Sequence, residues 1–207
     1  MKRFIYRGHF ACFSGCHFII LMLIFSVTQY AFSQAKIRKL PATINHPAIN
    51  LYAPFVSFDG DAIVFISDNA EDYILTPFYT NRESGSGWKD PIALPRQVYT
   101  KLNFLYGYTL SADGKALYLS TLKGPGVGGF DIWMSELKGI TWTEPKNLFA
   151  PINSKAHEAS ATFTPDGKTI YFMRCEKMDQ RSADGCKIWT AKKKPNGQWE
   201  EPEELAA

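Results

Sequence analysis

The sequence predicts an all-β fold made of three copies of one repeat of about fifty residues. An Asp-Gly pair recurs at Asp59, Asp113 and Asp166, at intervals of 54 and 53 residues. An apolar triplet follows each pair at the same offset, and a Trp-x-x-Pro sequence closes each copy. Beyond residue 33, no segment keeps an apolar period of 3.6 residues long enough to predict a helix. Repeated short strands therefore define the predicted fold class.

The first 33 residues have the pattern of a secretory leader. Three basic residues precede the apolar run Phe18–Val27, and the small residues Ala31 and Ser33 occupy the −3 and −1 positions of a cleavage site. We therefore predict that a signal peptide, residues 1–33, is removed. The alternative is an uncleaved anchor, because Phe10–Phe32 is long enough to cross a bilayer, which takes about 20 residues.

Removal of the leader changes the net charge from +3 to zero, because all of its charged residues are basic. A neutral chain without a basic stripe does not favour nucleic acid binding. The histidines that remain, His46 and His157, lack the ligand spacing of a zinc site, so we predict neither a metal nor another cofactor. Residues 34–207 are enough for one domain.

Each copy is predicted to form four short antiparallel strands. Asp-Gly between apolar runs favours a hairpin, because glycine accepts the positive φ that the turn requires. Copy one departs from the repeat, since Pro77 stands where copy two has Asp131 and no Gly-Gly pair precedes it. Its third strand is therefore not predicted by the repeat. In copy two the strands are expected at residues 106–110, 116–120, 131–136 and 142–147.

Four antiparallel strands at this period match a β-propeller blade. The segment Glu158–Phe172 (EASATFTPDGKTIYF), with Gly128–Trp133 (GGFDIW), closely resembles the TolB-like, WD-like propeller repeats of bacterial envelope proteins. The resemblance covers nearly all of residues 37–207. In that family such blades often lie beside OmpA-type domains and are regarded as interaction platforms. The resemblance thus implies a binding role and an acidic residue at the position of Glu158.

Three blades are fewer than the roughly four to eight that close a propeller ring. Residues 36–50 align with the tail of a further repeat, because Leu40 lies 19 residues before Asp59, as Leu94 does before Asp113. The chain is therefore a piece of a longer propeller, half of a six-blade ring made by two copies, or an open arc. Within a repeat domain of residues 34–207, the blades are expected at about 51–98, 104–152 and 158–207.

Cys175 and Cys186 remain after the leader and are separated by a polar loop. In an oxidising compartment this arrangement favours a local disulfide. Two free thiols in adjacent strands are the alternative, because spacing alone does not establish the geometry of a bridge. Copy three carries its extra residues in this loop, as expected for a stapled hairpin.

The recurrent aspartates and tryptophans are interpreted as structural. An aspartate in a turn bonds nearby backbone N–H groups. A tryptophan at a fixed offset in every copy is expected to pack between blades. These tryptophans are Trp88, Trp142 and Trp199.

A binding face is predicted at one end of the blades. The segment entering a first strand opens on the same face as the loops between second and third strands, and polar residues gather in both. Asp68, Asn69 and Glu71 are at the corresponding end of copy one. The candidate binding residues are Asn153, His157, Glu158, Asp131, Lys123, Arg174 and Glu176.

We therefore predict a non-enzymatic binding or scaffold protein, periplasmic or associated with the outer membrane. The expected partner is another envelope protein, with peptidoglycan or a glycan as alternative ligands, and a second copy of the chain would complete a ring. The main alternative is the propeller portion of a secreted peptidase or glycosidase whose catalytic part lies elsewhere. A Gly-x-Ser-x-Gly elbow is absent from the sequence, whereas the paired acids of a glycosidase come from distant loops that spacing does not reveal. A membrane-tethered presenter of the blades is the third class.

Overall fold

Three antiparallel sheets follow one another along the chain, each with the four-strand order of a blade. The predicted all-β fold with three four-stranded repeats is confirmed. The only helix in the part of the chain described is a single turn, α1 (Arg96–Tyr99), which is too short to show an apolar period. The structure, a computed structural model, describes residues 38–68, 75–82, 87–102, 107–122, 124–179 and 181–206.

The first blade contains the strand that the repeat did not predict. Its third strand pairs with the second along its whole length, including Pro77 opposite Ile66. The loop before it lies outside the described residues. The strands are β1 (Leu51–Val56), β2 (Ala62–Asp68), β3 (Leu75–Asn81) and β4 (Ile92–Ala93).

The second blade has a broken fourth strand. Residues 142–147 were expected to form one strand, but it is divided around Pro145, which has no backbone N–H to donate. Both pieces pair with the third strand. The strands are β5 (Tyr108–Leu110), β6 (Ala116–Thr121), β7 (Asp131–Lys138), β8 (Thr141–Trp142) and β9 (Lys146–Asn147).

The third blade carries an inserted hairpin between its second and third strands. Cys175 and Cys186 form a disulfide that closes this hairpin, as predicted. The blade strands are β10 (His157–Phe163), β11 (Thr169–Cys175), β14 (Lys187–Lys192) and β15 (Glu203–Glu204), and the hairpin strands are β12 (Lys177–Met178) and β13 (Ala183–Asp184).

The repeated Asp-Gly turns have the conformation that their sequence predicts. Gly60, Gly114 and Gly167 have φ values of +77°, +65° and +65°, a region that side chains with a Cβ rarely adopt. The Asp113 carboxylate accepts hydrogen bonds from the Ser111 hydroxyl and the Lys115 N–H, at 2.6 and 3.1 Å. Asp59 and Asp166 make the same pair of bonds in their own turns. The structural interpretation of these acids is confirmed.

Apolar clusters fill the two spaces between blades. The first junction, between blades one and two, contains Tyr79 and Trp142, whose ring centroids are 5.1 Å apart, edge to face. The second junction, between blades two and three, contains Ile132, Ile170 and Phe172, with Trp199 at its margin. Trp142 and Trp199 therefore pack between blades, as expected from their fixed offset. Trp88 instead packs against the separate apolar cluster of Ile63 and Phe65 in blade one.

All three blades share one hydrogen-bond register, but in the first blade that register does not follow the count of residues along the repeat. Leu94 donates its N–H to the carbonyl of Pro77, as Leu148 does to Ile132 and Leu205 to Ile188. Pro77 therefore occupies the place of Ile132, one residue away from the alignment with Asp131 that the sequence suggested. The cause is a connection between β2 and β3 that is one residue shorter than a strict repeat, which counting along the sequence does not reveal.

Candidate functional site

The predicted site residues Glu158 and Arg174 form an ion pair at the second junction. Glu158 has no solvent exposure, and its carboxylate accepts a 2.7 Å hydrogen bond from Arg174 Nε. The Ser154 hydroxyl and N–H donate to the same carboxylate at 2.6 and 3.0 Å. Arg174 also donates to the carbonyl of Ile152 at 3.0 Å and lies 4.4 Å from the ring centroid of Trp189. The charge of Glu158 is thus compensated within the protein.

Asp131 and Asn153 belong to a second buried network next to this pair. Asn153 Oδ1 accepts from the N–H of Ile132, and its Nδ2 donates to the carbonyl of the same residue, each at 2.9 Å. Asn147 connects the two, because its Nδ2 donates to Asp131 at 2.8 Å and its Oδ1 accepts from Asn153 at 2.7 Å. Asp131 also accepts the N–H groups of Val127 and Gly128. These contacts tie the entry of blade three to the third strand of blade two.

The Gly-Gly pair before Phe130 is explained by the close approach of the next blade. A Cβ on Gly128 would collide with the carbonyls of Ser154 and Ala156, and one on Gly129 would collide with the His157 ring. The half-buried His157 accepts the N–H of Phe130 on Nδ1 at 3.2 Å. His157 therefore also holds the loop against blade three.

The remaining candidates lie apart from these networks. Glu176 is exposed and lies against Gly185 in the disulfide-closed hairpin. Asp68 lies on blade one. Its carboxylate accepts hydrogen bonds from the N–H and the Nδ2 of Asn50, at 2.8 and 2.9 Å, and these bonds lower the pKa of Asp68. Lys123, Asn69 and Glu71 lie outside the described residues. The structure thus brings together Asn153, Glu158, Asp131, His157 and Arg174, and their binding role stays a prediction.

A groove of about 470 Å³ opens at the opposite end of the blades, beside the Asp-Gly turns of blades one and two. Tyr79 lies in its wall, and burial together with Asp59 and Asp113 raises the pKa of its phenol. Arg82, another wall residue, is paired with Asp61 at 3.0 Å. The wall therefore combines charges of both signs, and Arg82 and Asp61 are paired with each other.

The outer side of blade three, which we call the third outer face, exposes apolar residues at positions that the other repeats bury. Ile188 is 49% exposed, whereas Ile132, its equivalent by hydrogen-bond register, is 0% exposed. Leu205 is 53% exposed, whereas Leu94 is 3% exposed. Successive strand residues point to opposite faces, and Trp189 faces the second junction, so Ile188 points away from it.

The outer side of blade one, the first outer face, is covered by the chain itself. Ile63 and Phe65 are buried there, with Phe78 stacked on Phe65 at 5.8 Å between ring centroids. Ile44, 2% exposed, packs against them. It belongs to the segment 40–50, which we call the entry segment. Among the described residues, the first outer face is therefore covered by the chain itself, whereas Ile188 and Leu205 on the third outer face are exposed.

Sequence reasoning missed Ile188 and Tyr171 as surface residues of interest. Tyr171 is half-buried on the third outer face, at the same offset from its Asp-Gly pair as Tyr118, which packs on Phe163 at 4.1 Å between centroids. Comparing residues at equivalent positions would have identified them, because blade three retains the apolar residues that blade two uses for packing.

Comparison with known proteins gives likenesses of fold. No protein-family model and no curated protein sequence matches the chain. TolB from Acinetobacter baumannii is 16% identical over 73% of this chain and 32% of its own, with a TM-score of 0.44. Prolyl oligopeptidase B from Galerina marginata is 12% identical over 81% and 25%, with a TM-score of 0.46. A periplasmic gluconolactonase from Pseudomonas aeruginosa is 16% identical over 83% and 46%, with a TM-score of 0.37.

The chain spans less than half the length of each of these three structures. Its own sheets define the class of protein, which is an array of β-propeller blades. No helix within the described ranges is both long and apolar enough to cross a membrane.

Proposed function

We propose that this chain is a non-enzymatic, TolB-like binding module of the bacterial cell envelope, which presents its third outer face to a protein partner. One observation carries the proposal: Ile188 and Leu205 are exposed, whereas their equivalents Ile132, Leu94 and the half-buried Leu148 pack against the next blade. Exposed apolar residues grouped on one face are typical of protein interaction sites. The face carries the kind of apolar residues with which blade two packs against the sheet of blade three.

Export to an oxidising compartment is part of this proposal. The disulfide between Cys175 and Cys186 supports it, because such bonds persist in the periplasm and are rare in the cytosol. The leader-like sequence of residues 1–33 supports it independently. The N-terminal residue of the protein recovered from the periplasm tests the export step, and we expect Gln34.

A photo-crosslinking side chain at position 188 tests the binding face in living cells. We expect a crosslinked product with a defined protein when the full chain is exported. The matched control is position 140, because Ile140 is an isoleucine that is 84% exposed at a hairpin tip. Equal crosslinking from both positions, or none from position 188, would contradict the proposed face.

A further inference from the structure

The third outer face has a natural complement on the same chain. In the second junction Tyr118, Ile132 and Leu148 of blade two pack against the near side of blade three. Tyr171, Ile188 and Leu205 are their equivalents on the third outer face. The third outer face therefore has the same kind of apolar surface that blade two uses to hold blade three.

The complementary side of that contact also recurs. In the second junction it is formed by Ile170, Phe172 and Trp189. Ile63 and Phe65 lie at the same offsets from their Asp-Gly pair as Ile170 and Phe172. Phe78 pairs with Phe65 as Trp189 pairs with Phe172. The first outer face therefore carries Ile63, Phe65 and Phe78 where blade three carries the residues that contact blade two. A third outer face would meet the same kind of apolar surface there.

We propose that the third outer face binds the first outer face of a second copy, whose entry segment has moved aside. This inference rests on the proposed binding face and names its partner. Two such contacts between two copies would give six blades, within the roughly four to eight of known rings. Each contact joins the third outer face of one copy to the first outer face of the other. If the rotation that relates the two copies closes, these head-to-tail contacts make a ring, and otherwise they make a filament.

The entry segment is suited to leave because few contacts hold it. Ile44 is its only buried residue, and Ile49 is half-buried. Its polar attachment is Asn50, which donates to the Asp68 carboxylate through its N–H and its Nδ2 and accepts the Asp68 N–H on its carbonyl at 3.3 Å. A blade contact offers several buried side chains where the entry segment offers one. The segment therefore acts as a removable cover that lowers the apparent affinity between copies.

Light scattering after size exclusion of the exported full chain, over a wide range of concentrations, tests the inference. We expect a dimer fraction that rises with concentration. Ile44→Asp should lower the apparent dissociation constant by about tenfold or more, because that constant is divided by the fraction of molecules with an open face. Asn50→Ala should also lower the apparent dissociation constant. This variant replaces Ile44→Asp in the test if Ile44→Asp does not fold.

A double variant, Ile188→Lys with Leu205→Lys, should abolish the dimer, whereas the matched control Ile140→Lys should leave it unchanged. A double variant with the mass distribution of the original chain would overturn the proposal. Loss of the dimer in the double variant, without any response to Ile44→Asp or Asn50→Ala, would also overturn it, because two third blades would then pair with each other.

The same measurements separate this inference from the proposed function. A monomer at every concentration, with and without the entry-segment substitutions, would eliminate the second copy as partner. The proposed function would survive that result if position 188 still formed a crosslink with another envelope protein. Absence of any crosslink at position 188, together with a monomeric chain, would contradict both the proposed function and the pairing of two copies.

Discussion

The two blade junctions solve the same packing problem with different chemistry. The first is filled by apolar side chains such as Tyr79, Leu94 and Trp142. The second combines an apolar cluster with the buried pair of Glu158 and Arg174. An apolar contact tolerates small shifts, whereas a buried ion pair requires its own geometry or leaves a charge without compensation. Both charges belong to blade three, where they hold the connecting residues Ile152 and Ser154. The Asn153 amide between these two residues bonds to Ile132 of blade two, so directional hydrogen bonds help to position blade three against blade two.

The largest effect is expected from Arg174→Ala in the second junction. Glu158 would remain buried without its cation, so the free energy of unfolding should fall by about 3–5 kcal/mol. Urea unfolding followed by tryptophan fluorescence measures it. The control is Arg82→Ala, since Arg82 and Asp61 form an exposed pair worth roughly 0–1 kcal/mol. Equal effects of the two substitutions would show that the second junction does not depend on its ion pair.

Leu94→Ala tests the first junction. Removal of this buried side chain leaves a cavity and should lower the free energy of unfolding by about 2–4 kcal/mol. Leu205→Ala is the matched control, because Leu205 holds the equivalent place on the open third outer face and is 53% exposed. Its loss should cost less than about 1 kcal/mol. A large cost for Leu205→Ala in a monomer would contradict its assignment to an open face.

Asn153→Ala tests the neutral network of the second junction. The N–H of Ile132 would lose its acceptor, whereas the carbonyl of Ile132 would keep the N–H of Leu148. The expected loss in the free energy of unfolding is about 2 kcal/mol. Asn196→Ala, in an exposed turn, is the control and should change the stability little. If both changes proved equally mild, water would have to replace the amide of Asn153, and the network would not distinguish the two junctions.

The smallest effect concerns alkaline pH. Burial in the second junction, with Asp113 and Glu136 nearby, raises the pKa of Tyr118 to about 12 from 10.0. The pKa of Tyr118 is higher in the folded chain than in the unfolded chain, so the neutral phenol favours folding. This stabilisation is complete below pH 10 and is lost as the pH rises towards 12. Tyr118→Phe should therefore remove about 1 kcal/mol of the stability difference between pH 9 and pH 11.

Tyr79→Phe provides the companion measurement in the first junction. Burial, Asp59 and Asp113 raise the pKa of Tyr79 as well, so its replacement should also flatten the alkaline loss of stability. An unchanged profile for both variants, in denaturant titrations at each pH, would show that neither phenol resists ionisation in the folded chain.

Local features of the fold were predictable from the sequence. The turn at Asp113 and Gly114 depends on a positive φ and on bonds within five residues, so its sequence is sufficient to specify it. The strands of copy two begin close to their expected positions for the same reason. The register of copy one was not predictable, because one residue fewer between β2 and β3 changes which residue pairs with which without changing any local pattern.

The candidate site was predictable in part. Its polar residues were recognised, and five of them gather at the second junction. Their burial was not, because Glu158 is compensated by Arg174, which lies 16 residues further along the chain on the neighbouring strand. A carboxylate next to a first strand has the same sequence whether solvent or a guanidinium faces it.

The sequence by itself determined the period of the repeat, the turns and the strands, because these depend on contacts between residues close along the chain. Only the tertiary structure decided which faces are covered. Ile132 and Ile188 are the same residue in the same place of the repeat, yet a blade covers the first and solvent reaches the second. Burial is a property of what packs against a strand, and for this protein that is where its proposed interaction lies.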